Sequence, residues 1–502
     1  MKRNPNIRSD RKSLLAALRN LRQEIEQEGR MIYEQWLPGM ARREFRTSAL
    51  NLAYYIALRR RNLSGLQATL LSYGLAPLAH CESRVLQTLD AIIAACAGTP
   101  TDVADKRFFY GQKILDRRTN LLFGPLKARR RARIMVTLAT DAAGDYPLIR
   151  DLIVRGMNCA RINCAHDSED VWEAMVAHVR RAANETGRIC RILMDVAGPK
   201  PRTDAVLTPG PKNRLFRNSY LLLTREPPQS AGGMHFQTSC TMPEVISLLK
   251  VGTEVWIDDG RIGARVEALT GDGALLKVIS VRATGERLQS GKGINLPNTR
   301  FEKLAFTDKD RRDLQFVCAH ADILGYSFVQ NAADVAALYQ EMETVRTDKK
   351  PCQSVVLKIE TRKAMQNLPD LIVAAAGRWQ TGIMIARGDL GVELSLPQLI
   401  EVQDQILSIG QAASVPVIWA TQVLDRYTKK GVLTRAEATD TAMGGRAECV
   451  MLNKGPFIKE AVSLLDNLLF RAQSIRNKNL PNMSAIQFSH QADLTCSFPE
   501  ET

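Results

Sequence analysis

None of the ten cysteines forms a C-x-x-C pair, and no His–Cys cluster falls at zinc-ligand spacing. That argues against a disulfide scaffold, a zinc module or a dithiol redox motif. Scattered thiols of this kind read as buried and reduced, the habit of a cytoplasmic protein. No apolar run reaches the ~18–20 residues that a membrane helix needs, so no membrane partner is expected. The basic start MKRNPNIRSDRKSLL has neither the apolar core nor the cleavage site of a signal peptide. Glu24, Glu26 and Glu28 follow it closely, out of keeping with an acid-poor transit peptide.

What is present is an ordinary globular composition, 45% hydrophobic and 24% charged over 502 residues, enough for two to four domains. The net charge of +15 is concentrated. Residues 1–133 hold 25 Lys/Arg against 11 Asp/Glu, and the remainder is near neutral. A basic block can serve nucleic acid. This one is not low-complexity and has no Gly/aromatic interleaving, so it reads as solvated helix faces plus a basic linker, and no nucleic-acid partner is expected.

Residues 1–131 carry apolar side chains at three-and-four spacing in LLAALRNLRQEI, QWLPGMARREF, LNLAYYIALRRRNLSGLQATLLSYGL and SRVLQTLDAIIAACAG, which predicts an all-helical N-terminal domain. Gly74 and Gly98 read as stops, and Lys127-Ala128-Arg129-Arg130-Arg131 as the linker that ends the domain. From residue 132 the texture alternates. Eight strand-like runs begin at Arg133, Met157, Arg191, Ala321, Ser354, Gly382, Pro416 and Cys449, most of them 25–35 residues apart with amphipathic segments between. Eight βα units at that period predict a (β/α)₈ barrel over 132–203 and 301–476. The long gap, 204–300, is rich in Gly, Pro and short strands and reads as an inserted β-rich lid domain. A polar tail, 477–502, follows.

The chemistry gathers where the barrel runs end in charge. Val355-Val356-Leu357-Lys358-Ile359-Glu360 and Ile383-Met384-Ile385-Ala386-Arg387-Gly388-Asp389 are apolar runs of the kind buried on both faces of a parallel sheet, and α/β folds keep their chemistry at the carboxyl ends of such strands. The other ends supply Arg161 and Asn163; Asp195, Lys200 and Arg202; Ser327; Thr421; and Asn453 with Lys454. A single Lys or Asp at a strand end is more often a salt bridge. Compatible groups at seven ends point to an anion-and-metal site. Glu360 and Asp389, on adjacent strands, can share one Mg²⁺ or Mn²⁺ through hard oxygen ligands. The glycines of Arg387-Gly388-Asp389-Leu390-Gly391 leave backbone N–H groups free to meet an anion.

GMNCARINCAHD, MDVAGPKPRT, VWIDDGRI, KGINLPN, LKIE, IMIARGDLGVEL, PVIWATQVLD and LTRAEATD follow in this order over about 132–475, and the stretch resembles pyruvate kinase. The resemblance implies a barrel interrupted by a lid, with phosphoenolpyruvate and ADP as substrates, Mg²⁺ or Mn²⁺ as cofactor, and a homo-oligomer built through the barrel. It implies catalytic roles for Lys358, Arg161 and Thr421, with Thr421 orienting a water because a hydroxyl is a poor acid at neutral pH. It gives substrate contacts also to Ser327, Gly388 and Asp389, and nucleotide contacts to Asn163, His166, Arg202 and Asp258. Glu360 and Asp389 would hold the metal. A β-turn aspartate is the alternative reading of Asp258.

The chain also departs from the family's usual pattern. Thr137-Leu138-Ala139-Thr140 stands for Thr-Ile-Gly-Pro, Ala165-His166-Asp167 for Ser-His-Gly, and Ala197 for a lysine. Asn453-Lys454-Gly455-Pro456 replaces Ser-Gly-Glu-Thr. The family's C-terminal regulatory domain is not expected here, and the N-terminal helical domain is extra. Members of the family hold K⁺ with an Asn, a Ser, an Asp and a Thr, and those positions are Asn163, Ala165, Asp195 and Val196. Two side-chain oxygens are lost, and the neighbouring Glu has become Lys200. The expectation is that the Lys200 ammonium, with Asn163 and Asp195, substitutes for K⁺, which is then not required. Three readings follow: an active kinase, a non-catalytic sensor of phosphoenolpyruvate or nucleotide whose basic domain engages a partner, and, on charge alone, a nucleic-acid binder. Turnover of phosphoenolpyruvate separates the first two.

Overall fold

A computed structural model of the chain describes residues 11–99, 108–126, 130–196, 200–210, 214–229, 235–297, 306–345, 354–478 and 480–481. Lys127, Ala128, Arg129, Ala197 and most of the tail lie outside them. Eight parallel strands close a barrel: β1 (Arg133–Thr137), β2 (Met157–Asn163), β3 (Arg191–Val196), β4 (Ile323–Tyr326), β5 (Ser354–Ile359), β6 (Gln380–Ala386), β7 (Val417–Ala420) and β8 (Cys449–Leu452). Each pairs with the next in sequence, and β8 pairs with β1. The runs form strands because their β-branched and apolar side chains are covered on both faces; every residue of β1, β4, β7 and β8 is buried. The helices between them start and stop on local signals. Asp145 caps Tyr146–Arg155 by accepting from the Leu148 N–H, and left-handed Gly156 ends it.

The inserted stretch forms a seven-stranded sheet with a core of its own, built on Leu221, Leu223, Val255, Ile257, Ala264 and Leu276. The order runs Ile294–Asn295, Glu254–Ile257, Ile262–Leu269, Gly273–Ser280, Tyr220–Thr224, Phe236–Cys240, Thr203–Leu207. Trp256 lies flat against Gly263 of the next strand, where a Cβ would fall 2.5 Å from the indole.

Among the described residues five α-helices precede the barrel: α1 (Arg11–Trp36), α2 (Arg46–Arg59), α3 (Ser64–Ser72), α4 (Val85–Ala97) and α5 (Tyr110–Phe123). The long run from Leu50 to Leu75 breaks at Asn62, whose side chain accepts from the Ser64 N–H and starts α3. The α5 segment ties these helices to the barrel. Its last turn sends Leu122 and Phe123 into the barrel floor, against Met135, Leu193, Val356, Met384 and Met451. Gly382 leaves room for them, since a Cβ there would meet Leu122 at 2.7 Å. Buried Arg118 of the same helix donates to the carbonyls of Ala413 and Ser414, and Asn51 of α2 to that of Ala412. The helices are thus docked on the barrel base rather than set apart from it. Arg130, read as solvated linker, is 2% exposed and donates to the Ala132 and Gly156 carbonyls and to Asn158. The eight cysteines among the described residues are free and buried. Among those residues no helix is long and apolar enough to cross a membrane.

If the floor depends on α5, Leu122→Ala destabilises the protein by about 2–5 kcal/mol in urea unfolding. Its exposed neighbour Leu121→Ala changes stability by within about 0.5 kcal/mol. Equal losses at the two positions would refute the plug.

Candidate active site

Register brings the charged groups together at the carboxyl ends of the strands. Thr137 lies opposite Arg161, Asn163 opposite Asp195, and Gly325 opposite Asp195. Arg161 donates to Asp195 Oδ2 from Nε at 2.8 Å and from Nη2 at 2.5 Å, and to Thr137 Oγ1 at 3.0 Å. Asp195 is 1% exposed. Burial alone would raise its carboxyl, but Arg161 and Lys358 overcome that and hold it below the usual carboxylate range. Its Oδ1 fills the space that Gly325 leaves; a Cβ at 325 would sit 2.0 Å from that oxygen. A glycine in a buried strand is here the condition for an acid in the next one.

Lys358, at the end of β5, lies 2.8 Å from Glu360 Oε1, 3.6 Å from Asp195 Oδ2 and 2.9 Å from Ser327 Oγ. Burial works against its charge, yet Glu360 and Asp195 hold the ammonium above the ordinary lysine range. Glu360, 1% exposed, also accepts from the Phe328 N–H at 2.5 Å. Burial pushes its carboxyl up, Lys358 opposes this, and the nearby charge of Asp389 adds to it. Asp389 in turn receives Lys200 Nζ at 2.6 Å. The Lys200 ammonium lies 4.6 Å from the centre of the Phe328 ring, and a Cβ at Gly293 of the lid would fall 2.4 Å from its Cε. Lys200 was expected beside Asp195 and Asn163. The ion pair it makes is with Asp389, while Asp195 is taken by Arg161 and Lys358, and Asn163 Oδ1 accepts from the Ala165 N–H at 3.3 Å.

The β6 and β7 ends form one unit. Arg387 is 4% exposed, donates to the Ala420 and Thr421 carbonyls, pairs with Asp440 and stacks over Trp419 at 4.5 Å. It thereby fixes Thr421 in the left-handed region at φ +60°, a costly conformation for a β-branched residue. Thr421 Oγ1 accepts from the Gly388 N–H at 2.9 Å. Arg387, one of the strand-end charges, therefore holds backbone rather than facing an open site.

Arg202 donates to the Gly291 carbonyl in the lid, and burial lowers its guanidinium while Asp389, Asp259 and Glu360 support its charge. Burial lowers the His166 imidazole, and the nearby cations Lys454 and Arg202 lower it further. Asp258 is held by Lys292 at 3.0 Å and Arg261 at 3.7 Å. Burial raises the carboxyl of its neighbour Asp259, the nearby charge of Asp389 adds to this, and Lys200 opposes it. Asn453 donates to Asp425 at 3.2 Å.

The residues fit a divalent metal. Glu360 and Asp389 are hard oxygen donors, near enough that the charge of Asp389 raises the Glu360 carboxyl, and a dication would offset that repulsion. Among the described residues no group of three or more His, Cys, Asp or Glu could form an all-protein cage. Two carboxylates completed by substrate oxygens is the habit of Mg²⁺.

Residues 129–462 match the family model for the pyruvate kinase barrel domain. The chain is 30% identical over 364 residues to pyruvate kinase 2 of Trypanosoma brucei brucei, covering 70% of this chain and 69% of that one. It is 33% identical over 327 residues to pyruvate kinase of Mycobacterium intracellulare, covering 64% and 65%. With pyruvate kinase PKLR of Homo sapiens it shares 31% over 352 residues, 67% of this chain and 59% of that one. The chain belongs to the pyruvate kinase family. It is a phosphotransferase by that membership, in a family that uses Mg²⁺ and binds phosphoenolpyruvate and ADP.

Sequence reasoning missed Thr137, Gly325, Phe328, Asp259 and Asp440. Gly325 and Phe328 are ordinary strand and loop residues whose role comes from a neighbour on another element. Thr137, Asp259 and Asp440 lay inside the quoted motifs, in the first strand end, the DDG turn and LTRAEATD, without a role of their own. The Asp195 cluster makes a pH-dependent prediction. Its folded-state carboxyl is depressed, so its stabilisation is present at neutral pH and lost only as pH falls below the ordinary aspartate range. Asp195→Asn, which leaves Arg161 buried without its acidic partner and Lys358 with Glu360 alone, costs about 3–5 kcal/mol at pH 7 in urea unfolding. The penalty should hold down to weakly acidic pH and shrink only below it. A penalty that disappears between pH 7 and pH 5 contradicts the depressed carboxyl.

Proposed function

We propose that this protein transfers the phosphoryl group of phosphoenolpyruvate to ADP, giving pyruvate and ATP as in glycolysis, and that it does so without K⁺. The observation that carries this reading is the joint burial of Lys358, Arg161, Asp195 and Glu360 at one end of a closed barrel, with Asp389 beside them. Such a cluster, costly to bury, suits a site that meets a compact polyanion.

In this reading Glu360 and Asp389 hold the divalent metal, which when bound offsets negative charge on substrate oxygens. Arg161 grips the transferring phosphoryl group, its guanidinium fixed by Asp195 and Thr137. Lys358 presents an ammonium where charge develops on the phosphoryl and enolate oxygens, a preorganised term. Ser327, within hydrogen-bond reach of Lys358, and Gly388 line the substrate side. Thr421, locked by Arg387, orients the water that protonates the enolate carbon. Arg202, His166, Asn163 and Asp258 lie on the nucleotide side, and Lys454 and Asp259 join them. A cytoplasmic location and a homo-oligomer built through the barrel complete the reading.

K⁺-independence is supported by a buried ammonium in the site. Lys200, 8% exposed at its side chain, supplies a fixed positive charge beside Asp389, and Ala165 and Val196 offer no side-chain oxygen for a cation cage. Acting through Asp389 rather than Asp195, it does the electrostatic work from the metal's side.

Purified protein with Mg²⁺ should form pyruvate in an assay coupled to lactate dehydrogenase, and Lys358→Met should lose ~10²–10³ in turnover. Wild type no faster than Lys358→Met with any nucleoside diphosphate would instead leave a phosphoenolpyruvate or nucleotide sensor. In tetramethylammonium buffer the wild-type rate should be near its maximum, with Lys200→Glu strongly impaired. Activation of about tenfold or more by KCl, beyond an ionic-strength control, would remove the K⁺ claim.

A further inference from the structure

At the opposite end of the barrel from the catalytic charges, a cavity of about 300 Å³ opens between α5, the start of β1 and the loop entering β8. That volume falls at the lower end of small-molecule sites. Five of its lining residues are cationic, Arg130, Arg131, Arg133, Arg446 and Lys478, against the two carboxylates of Asp116 and Glu448. Four of the cations have an acidic partner: Arg130 with Asp466, Arg131 with Asp116, Arg446 with Asp404 and Lys478 with Glu448.

Arg133 differs. It is 8% exposed and makes no ion pair among the described residues. One Nη donates to the Arg131 carbonyl, the other to Asn120 Oδ1 and the Gly124 carbonyl, and its buried Nε has no acceptor. A guanidinium kept from water with only neutral acceptors and one orphaned N–H carries an unmet electrostatic demand. Burial lowers its pKa accordingly.

We propose that this basal cavity is a binding site for a small oxyanion, the phosphate or carboxylate group of a metabolite, which pairs with Arg133 under the surrounding cations. Arginine's planar fork suits both groups. The ligand would bridge α5, β1 and the β8 entry loop, tying the helix that plugs the floor to the strands it plugs. It requires folded structure on all three sides, so binding stabilises the native state.

Thermal unfolding of the full chain is followed against inorganic phosphate, glucose 6-phosphate and citrate, each compared with chloride at equal ionic strength. These arms separate free phosphate, a phosphoester and a carboxylate. At least one should give a saturable rise in Tm that persists in Lys358→Met, which removes a charge from the other end of the barrel. Arg133→Gln should abolish the saturable part. Arg131→Glu, at a more exposed position, should weaken binding by about tenfold or more and decides the question if Arg133→Gln does not fold. A rise without saturation in all three arms is general salt stabilisation and overturns the proposal. So does a rise lost in Lys358→Met, or one indifferent to Arg131→Glu.

Discussion

The buried cluster of Arg161, Asp195, Lys358 and Glu360 is the constraint to which the rest of the barrel answers. Four charges are held nearly out of water, and each is tolerable only because the others are within a few ångströms. That closeness needs strands in fixed register, since sliding one strand by a residue would turn its charged end to the opposite face. It needs Gly325, because any side chain there would displace Asp195. It needs the Phe328 amide, which takes one oxygen of Glu360 while Lys358 takes the other. The cluster is therefore as much a test of the fold's accuracy as a collection of reactive groups.

Accuracy at one end of a barrel requires a firm base at the other. Here the base is furnished by the N-terminal helices, whose Leu122 and Phe123 complete the packed interior. Arg118 and Asn51 satisfy carbonyls in the loop before β7 that would otherwise be buried without donors. The positive charge of residues 1–133 thus has several employments. Some of it forms surface pairs such as Arg60 and Arg61 with Glu28, worth little to stability. Arg118, Arg130 and Arg133 are buried and hold backbone.

Lid and barrel meet around Lys200. Its ammonium sits on Asp389 and near Phe328 of the barrel, and its stem crosses Gly293 of the lid. Arg202, two residues on, reaches the Gly291 carbonyl in the same lid segment. The segment joining the domains also carries their shared charges, so lid position and site electrostatics are set together.

The sequence by itself determined the barrel, the inserted lid and most of the charged strand ends. The physical reason is periodicity. A strand buried on both faces is written as an apolar run, and a charge that ends it is conspicuous; Lys358, Glu360 and Asp389 were legible for that reason. The tertiary structure alone decided what each charge faces. Lys200 pairs with Asp389 and not Asp195, and Arg387 pins Thr421. Those outcomes turn on register, on side-chain reach and on spaces left by Gly325 and Gly293, contributed by elements up to about 190 residues apart in the chain. The plug formed by α5 was hidden for a related reason. Its two decisive side chains are the last residues of an otherwise polar helix, and only the barrel floor gives them a core to enter.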